Sequence, residues 1–298
     1  MPRKHILHMI TPLKHMSPFD VNMALDAGFD AVIPYTGVTL DEVTGLVQDA
    51  IFSRPPDAGV DTGFFIAGKD VTLSLDMFKA AKKAMLPPFQ LSVFADPAGS
   101  FTTAAAMVAK VEKALAKKFD RTLQGTRIAI FGATGVVGFC TAVIAAKEGA
   151  KVTIVGHDGT KRVKAIAEEM KARFGVDVDV ADGSTDIHKS SVAADAEVVL
   201  SAAKAGVQVL AKDHLKDAKH LLVAADVNAV PPAGVEGLTV HADSEAIPDT
   251  KAVGIGPLAI GNVKYKVESG LFRKMIEADK VVAFDFQDAF SFAREIAK

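Results

Sequence analysis

One unbroken stretch, Arg127-Ile128-Ala129-Ile130-Phe131-Gly132-Ala133-Thr134-Gly135-Val136-Val137-Gly138, limits what this chain can fold into more than any other. A short β-type apolar run feeds three glycines, and the alanine-rich stretch Phe139 to Ala146 then reads as a helix. Strand, glycine turn and helix, in that order, are what a nucleotide pyrophosphate site needs. Without Cβ atoms the backbone approaches the phosphates closely, and N–H groups at the helix start point at the anion. The spacing is G-x-x-G-x-x-G, with Ala133 where the common dinucleotide fingerprint carries its first glycine. A tight strand–helix turn with close packing also selects glycines. The flanking strand and helix favour a dinucleotide site, expected over Gly132, Ala133, Thr134, Gly135, Val136 and Val137.

At 298 residues the chain is long enough for two ordinary domains. Hydrophobic residues make up 49% and charged residues 23%, the composition of a globular protein with a sizeable core. A net charge of −2 argues against nucleic acid as a partner. Cys140 is the single cysteine, so no disulfide forms within the chain, and a small buried hydrophobe is its expected role. The apolar run Ile6 to Ile10 is too short for a signal peptide or a membrane span, so a cytoplasmic location without membrane partner is expected.

Strand and helix patterns alternate from the start. Strands are predicted at 5–10, 30–35, 62–67 and 90–95. Ser17-Pro18 fits an N-cap and first helical position for a helix that stops at Gly28. Thr39-Leu40-Asp41-Glu42 reads as a capping box, with Leu40, Val43, Val47 and Ile51 as the apolar face of the helix that follows. A third helix spans 71–85, and a fourth, 101–118, ends in a basic turn. From Arg127 the alternation resumes, with strands at 127–131, 151–155, 176–180, 196–200 and 219–224 and helices at 135–148, 160–173 and 185–193. Short strands near Leu238 and Ala252 finish the sheet, and helices at 258–278 and 285–297 flank a short strand at 281–284. The fold class is therefore α/β: an N-terminal parallel-sheet domain plus a Rossmann-type doubly wound NAD(P)-binding domain. The expected boundaries are 1–120, with the final helix 285–298 packing back on it, and 121–284.

In doubly wound sheets the end of the second strand lies beside the adenosine ribose, where an acidic residue bonds the 2′-hydroxyl and repels a 2′-phosphate. Here that strand runs into Gly156-His157-Asp158-Gly159 and then Thr160-Lys161-Arg162. Glycine at the usual acidic place removes the repulsion, Lys161 and Arg162 can neutralise a phosphate, and Asp158 pulls the other way. A solvated turn explains the same residues. NADP is the expected cofactor, with NAD also accepted, and His157, Asp158, Lys161 and Arg162 are expected around its ribose. Ser201, Ala202 and Ala203 follow the fourth strand, where small residues suit a chain passing over the nicotinamide ribose. Asp226 and Asn228, also expected among the cofactor-binding residues, precede Pro231-Pro232, which reads either as a rigid loop holding polar groups still or as a plain capped turn.

With these loops in place, further motifs fall into line. They are Ser17-Pro18-Phe19-Asp20-Val21, Tyr35-Thr36-Gly37-Val38-Thr39 and Asp96-Pro97-Ala98-Gly99-Ser100-Phe101-Thr102-Thr103 with the alanines after it. Gly132-Ala133-Thr134-Gly135, Ala225-Asp226-Val227-Asn228-Ala229-Val230-Pro231-Pro232 and the stretch from Gly254 to Lys264 complete the set. In this order they resemble the NAD(P)-dependent methylene-tetrahydromethanopterin dehydrogenases of methylotrophic bacteria, over essentially the whole length. The resemblance implies oxidation of the methylene bridge of a tetrahydropterin one-carbon carrier to the methenyl form, with hydride passing directly to C4 of the nicotinamide. One branch of that family is strict for NADP and carries arginine after the glycine at the second strand's end. His157 stands there in this chain, as in the dual-cofactor branch. The resemblance also implies a homo-oligomer, trimer or hexamer, with the pterin in a cleft between two domains.

Hydride transfer to nicotinamide needs alignment rather than an acid or base, and its cationic product favours nearby negative potential. Asp20 and Asp96 are therefore candidate catalytic residues, although an Asp in the first turn of a helix or before a turn has an ordinary capping role. Lys264 is the residue that the resemblance singles out, expected to orient the pterin ring from away from the reacting bridge. Phe19, Ser100, Thr102 and Thr103 complete the expected pterin-binding set; the hydroxyls and helix-start N–H groups of the last three suit a pterin or the cofactor. His5, His8 and His15 have no further ligands at metal-binding spacing, and no metal is expected. Two alternatives stay open. A methylene-tetrahydrofolate dehydrogenase with cyclohydrolase activity would accelerate decay of the methenyl product, and a non-catalytic NADP-binding sensor would reduce no NADP with any methylene-tetrahydropterin.

Overall fold

A computed structural model of the chain describes residues 3–297; the expected boundary positions 1, 2 and 298 lie outside them. The described chain runs β1 (Ile6–Thr11), α1 (Pro18–Ala27), β2 (Ala31–Thr36), α2 (Val43–Phe52), β3 (Thr62–Ile66), α3 (Val71–Ala84), β4 (Ser92–Ala95) and α4 (Ser100–Phe119). It continues as β5 (Arg127–Phe131), α5 (Val136–Lys147), β6 (Lys151–Gly156), α6 (Lys161–Phe174), β7 (Asp179–Asp182), α7 (Asp186–Asp195), β8 (Val198–Ser201) and α8 (Lys212–Leu215). The last elements are β9 (Val223–Asp226), β10 (Asp243–Ala246), β11 (Val253–Ile255), α9 (Pro257–Glu277), β12 (Ala283–Phe284) and α10 (Phe286–Ala297).

Two compact units result, one of residues up to Thr102 with Tyr265–Ala289, the other of Thr103–Lys264 with the residues from Phe290 on. The first holds an all-parallel sheet in the order β12-β4-β3-β1-β2. Its helices start and stop where local chemistry dictates. Pro18 sits at the first helical position of α1, and Gly28 closes that helix in the left-handed conformation, at φ 116°. Asp70 caps α3 by accepting from the Leu73 N–H at 2.8 Å. Only half of the box at Thr39 forms: the Glu42 carboxylate accepts from the Thr39 N–H at 2.7 Å and also from its hydroxyl at 2.9 Å, in a turn ahead of the helix. α2 therefore starts only at Val43, and Leu40 is exposed rather than part of the buried face.

Aromatic packing shows why part of the C-terminal region belongs to this unit. Phe272 of α9 sits 5.3 Å from Phe65 and 5.2 Å from Phe94, ring centre to ring centre, and β12 pairs with β4. The segment 265–284, expected with the nucleotide-binding domain, thus completes the first sheet. The final helix divides as well. Its first residue, Phe286, stacks edge-on against Phe101 at 5.4 Å. Arg294, near its end, forms a two-pronged bond to Glu112 at 2.6 and 2.7 Å and reaches Glu148 at 2.5 Å, all within the second unit.

The second sheet has the order β10-β11-β9-β8-β5-β6-β7, parallel except for the edge strand β10, which is the doubly wound arrangement. α5 is buried on every side from Gly138 to Ala145, which explains why its sequence has no polar face. β7 and β9 begin later than the periodicity predicts. Val176 and Leu221 are buried in the turns before these strands, and burial, not pairing, is what their apolar side chains report. Leu238 is likewise buried outside any strand; the closing strands are β10 and β11. Among the described residues no helix is long and apolar enough to cross a membrane.

Candidate functional site

Gly132 follows β5 with φ at +90°, a conformation glycine adopts freely. A Cβ there would sit 2.5 Å from the Ala202 carbonyl oxygen and 2.7 Å from the Ala203 nitrogen, so these two turns lie backbone against backbone. A Cβ at Gly138 would overlap the Gly132 carbonyl, whereas at Gly135 it would meet nothing nearer than 3.5 Å. Two of the three glycines are thus required by packing alone. Gly135 instead stands at the cap position of α5, where it has no side chain to bond the helix start. The first N–H groups of that buried helix have no acceptor within the helix itself. A close-approach backbone ending in an uncapped helix fits a bound diphosphate.

The strand-end turn after β6 explains its own glycine. His157 and Gly159 bridge across it, and a Cβ at Gly156 would overlap the Gly159 carbonyl oxygen. The acidic residue usual at this place is therefore excluded by the turn. Asp158 takes up an ion pair with Arg162, one helical turn on, at 3.5 Å, and lies 3.9 Å from His157 Nδ1. Lys161 is exposed at the start of α6.

Ser201 and Asp226 end neighbouring strands β8 and β9 at paired positions, and both are fully buried. The Asp226 carboxylate accepts from the N–H groups of Asn228 at 3.0 Å and Gly234 at 2.6 Å. Burial pushes this carboxyl above its ordinary range, against the pull of those bonds. The Asn228 amide oxygen accepts from Gly206 and Val230, and its nitrogen donates to the Pro232 carbonyl at 2.8 Å. These side chains spend their bonds on the loop, which contains a cis Pro231–Pro232 bond. Gly234, passed over in the sequence, belongs to this knot, because a Cβ there would stand 2.7 Å from the Asp226 carboxylate. A glycine following Pro-Pro-Ala was the available signal.

In the first unit Asp96 is fully buried at the end of β4. One of its oxygens accepts from the Phe101 N–H at 2.8 Å and the Thr102 N–H at 3.2 Å; the other accepts from the Thr102 hydroxyl at 2.6 Å. The carboxylate thereby caps α4. The expectation that Thr102 offers its hydroxyl and N–H to a ligand is corrected on this point: Asp96 takes both, and Thr102 is buried. Ser100 and Thr103 remain partly accessible. Asp20 is buried in the first turn of α1, beside the exposed Phe19. Lys264 is half-buried on α9, and Glu268, fully buried, follows it by four residues on the same helical face. The structure thus gathers Gly132 with Ala202 and Ala203, Ser201 with Asp226, Asp158 with Arg162, and Asp96 with Thr102.

Residues 18–98 match the family model described as methylene-tetrahydromethanopterin dehydrogenase, N-terminal. The chain is 57% identical, over 99% of its length and 99% of the relative's, to the NAD(P)-dependent methylenetetrahydromethanopterin dehydrogenase of Methylorubrum extorquens. It is 31% identical to the Bifunctional protein MdtA of the same organism, over 94% of this chain and 95% of that one. A shikimate 5-dehydrogenase from Listeria monocytogenes, solved with shikimate and NAD, shares the fold with a TM-score of 0.54 at 14% identity, over 99% of this chain and 96% of that one. Sustained over the whole chain, the 57% identity settles the family: this protein belongs to the methylene-tetrahydromethanopterin dehydrogenases.

Proposed function

We propose that this chain oxidises the methylene bridge of methylene-tetrahydromethanopterin to the methenyl form, with NADP or NAD as hydride acceptor. The observation that carries this reading is full-length identity of 57% to a protein named for that activity. The backbone cradle around Gly132 and the uncapped start of α5 support its cofactor half. The bound nicotinamide supplies the hydride-accepting carbon. No proton moves in the step, so the chain's task is to align donor and acceptor and to exclude water.

Gly132, Ala133, Thr134, Gly135, Val136 and Val137 hold the diphosphate through main-chain N–H groups, and His157, Asp158, Lys161 and Arg162 surround the adenosine ribose. Ser201, Ala202 and Ala203 border the nicotinamide ribose, while Asp226 and Asn228, expected to bind the cofactor, hold their own loop in place. Phe19, Asp20, Ser100, Thr103 and Lys264 bind the pterin. Asp96 is a positioning residue that fixes the turn presenting Ser100 and Thr103, with Thr102 as its partner. A lysine at the reacting bridge would oppose formation of the cation, so Lys264 bonds a carbonyl or ring edge away from it. Lys264→Ala is expected to lower turnover far more than folding stability, and near-normal rates would remove it from the site. A homo-oligomer, trimer or hexamer, and a cytoplasmic location belong to the same reading; exposed Leu25 on α1 and Ile33 on the edge strand β2 support association.

Initial rates with methylene-tetrahydromethanopterin and methylene-tetrahydrofolate, each with NADP and NAD, test the assignment. Preference for the methanopterin carrier with either nucleotide is expected. Reduction of neither nucleotide by either pterin would overturn it.

A further inference from the structure

We infer that Asp158 and Arg162 act together as a releasable ion pair that sets the balance between NADP and NAD. The inference rests on the reading that the Gly132 cradle holds a dinucleotide diphosphate, because that reading puts the adenosine ribose at the end of β6. In doubly wound folds the choice between 2′-hydroxyl and 2′-phosphate is commonly made by an acidic side chain at the strand end itself. Here that position is Gly156, and the Gly159 carbonyl fills the space a Cβ would need. Discrimination must come from another residue.

Two acidic side chains lie close to this corner, and their bonding separates them. Asp182, ending the neighbouring strand β7, accepts from the Ser184 N–H at 2.8 Å and faces His188 Nδ1 at 3.4 Å. Asp158 takes part in no comparable network. Its contacts are Arg162 at 3.5 Å and His157 at 3.9 Å, both longer than a strong charge-assisted bond, and the Asp158 and Arg162 side chains are 47% and 56% exposed. Exposed pairs of this kind are weakly held. A ribose with a free 2′-hydroxyl can donate to Asp158 while Arg162 stays with it. A 2′-phosphate repels Asp158 but can draw the guanidinium away and bind it through two parallel N–H bonds. Paired, the two side chains present no net charge, so neither nucleotide meets an uncompensated like charge. That is how one turn can serve both cofactors.

Binding, measured without pterin, isolates this effect from catalysis. Affinities for NADP and NAD, and for the fragments 2′,5′-ADP and ADP, would be compared by calorimetry in the wild type, Asp158→Asn, Arg162→Gln and the double variant. Both side chains are exposed, and unchanged unfolding midpoints would verify that the variants fold. Asp158→Asn is expected to tighten NADP about tenfold and weaken NAD about threefold; Arg162→Gln is expected to weaken NADP about tenfold and leave NAD within about twofold. In the Arg162→Gln background the gain from Asp158→Asn should shrink to about threefold or less, because only the repulsion is left to remove. Single variants that bind both cofactors with an unchanged NADP-to-NAD ratio would overturn the proposal, as would a full tenfold gain in the double variant. Failure of wild type to bind either nucleotide would instead overturn the dinucleotide reading beneath it.

Discussion

The turns after β4 and β5 both lead from a parallel strand into a helix, yet they treat the helix start in opposite ways. At α4 the chain supplies its own anion. Asp96 is buried and accepts from two N–H groups and a hydroxyl of the first turn. At α5 the cap position is Gly135, which has no side chain to bond the helix start, and the surrounding glycines let another backbone, or a ligand, come close. A helix start carries exposed N–H groups and partial positive charge in either case. The difference lies in who satisfies them. α4 meets that need with Asp96, whereas under the proposed reading α5 leaves it to the cofactor's diphosphate.

The sharpest break of this contrast is Gly132→Ala, which forces an alanine into φ +90° and against the Ala202 carbonyl. It is expected to abolish nucleotide binding in a calorimetric titration and to lower the unfolding free energy by about 2–4 kcal/mol. Next comes Gly135→Asp, which gives α5 the carboxylate that α4 already has. Stability should hold or rise, while NADP affinity falls about a hundredfold, since the new anion occupies the phosphate's place. Unchanged affinity would mean that the diphosphate lies elsewhere. Asp96→Ala makes the reverse test. Losing a buried cap should cost about 2–3 kcal/mol in urea unfolding without altering nucleotide affinity.

The smallest effect concerns Asp226, a second carboxylate buried at a strand end like Asp96 but with its carboxyl pushed up by desolvation. A carboxyl raised in the folded state stabilises it fully below the unfolded value, about 3.9, and loses that contribution as pH rises through the folded value. The stability of wild type relative to Asp226→Asn should therefore fall as pH rises above about 4. Urea melts from acid to neutral pH would show it, and a flat difference would contradict it.

Much of the β5–α5 unit was legible from residue order, because a strand, a glycine turn and an apolar helix are all local signals. Gly28 as a stop and Asp70-preceded α3 are local in the same way. The role of Asp96 was not, since an Asp before Pro-Ala-Gly reads equally as a cap and as a site residue until its partners are known. Gly156 was legible as a missing acid, but its cause, the Gly159 carbonyl, depends on how the turn doubles back. The course of α9 and α10 was out of reach for a further reason. Phe272 against Phe65 and Phe94, and Arg294 against Glu112, join residues far apart in sequence, and periodicity carries no information about which sheet an apolar face will cover.

Direct hydride transfer to a nicotinamide is tested most plainly by isotope. With methylene-tetrahydromethanopterin deuterated at the bridge and NADP as acceptor, deuterium should appear at nicotinamide C4 in step with methenyl absorbance. Reduced nucleotide without the label, or no reduction at all, would contradict it.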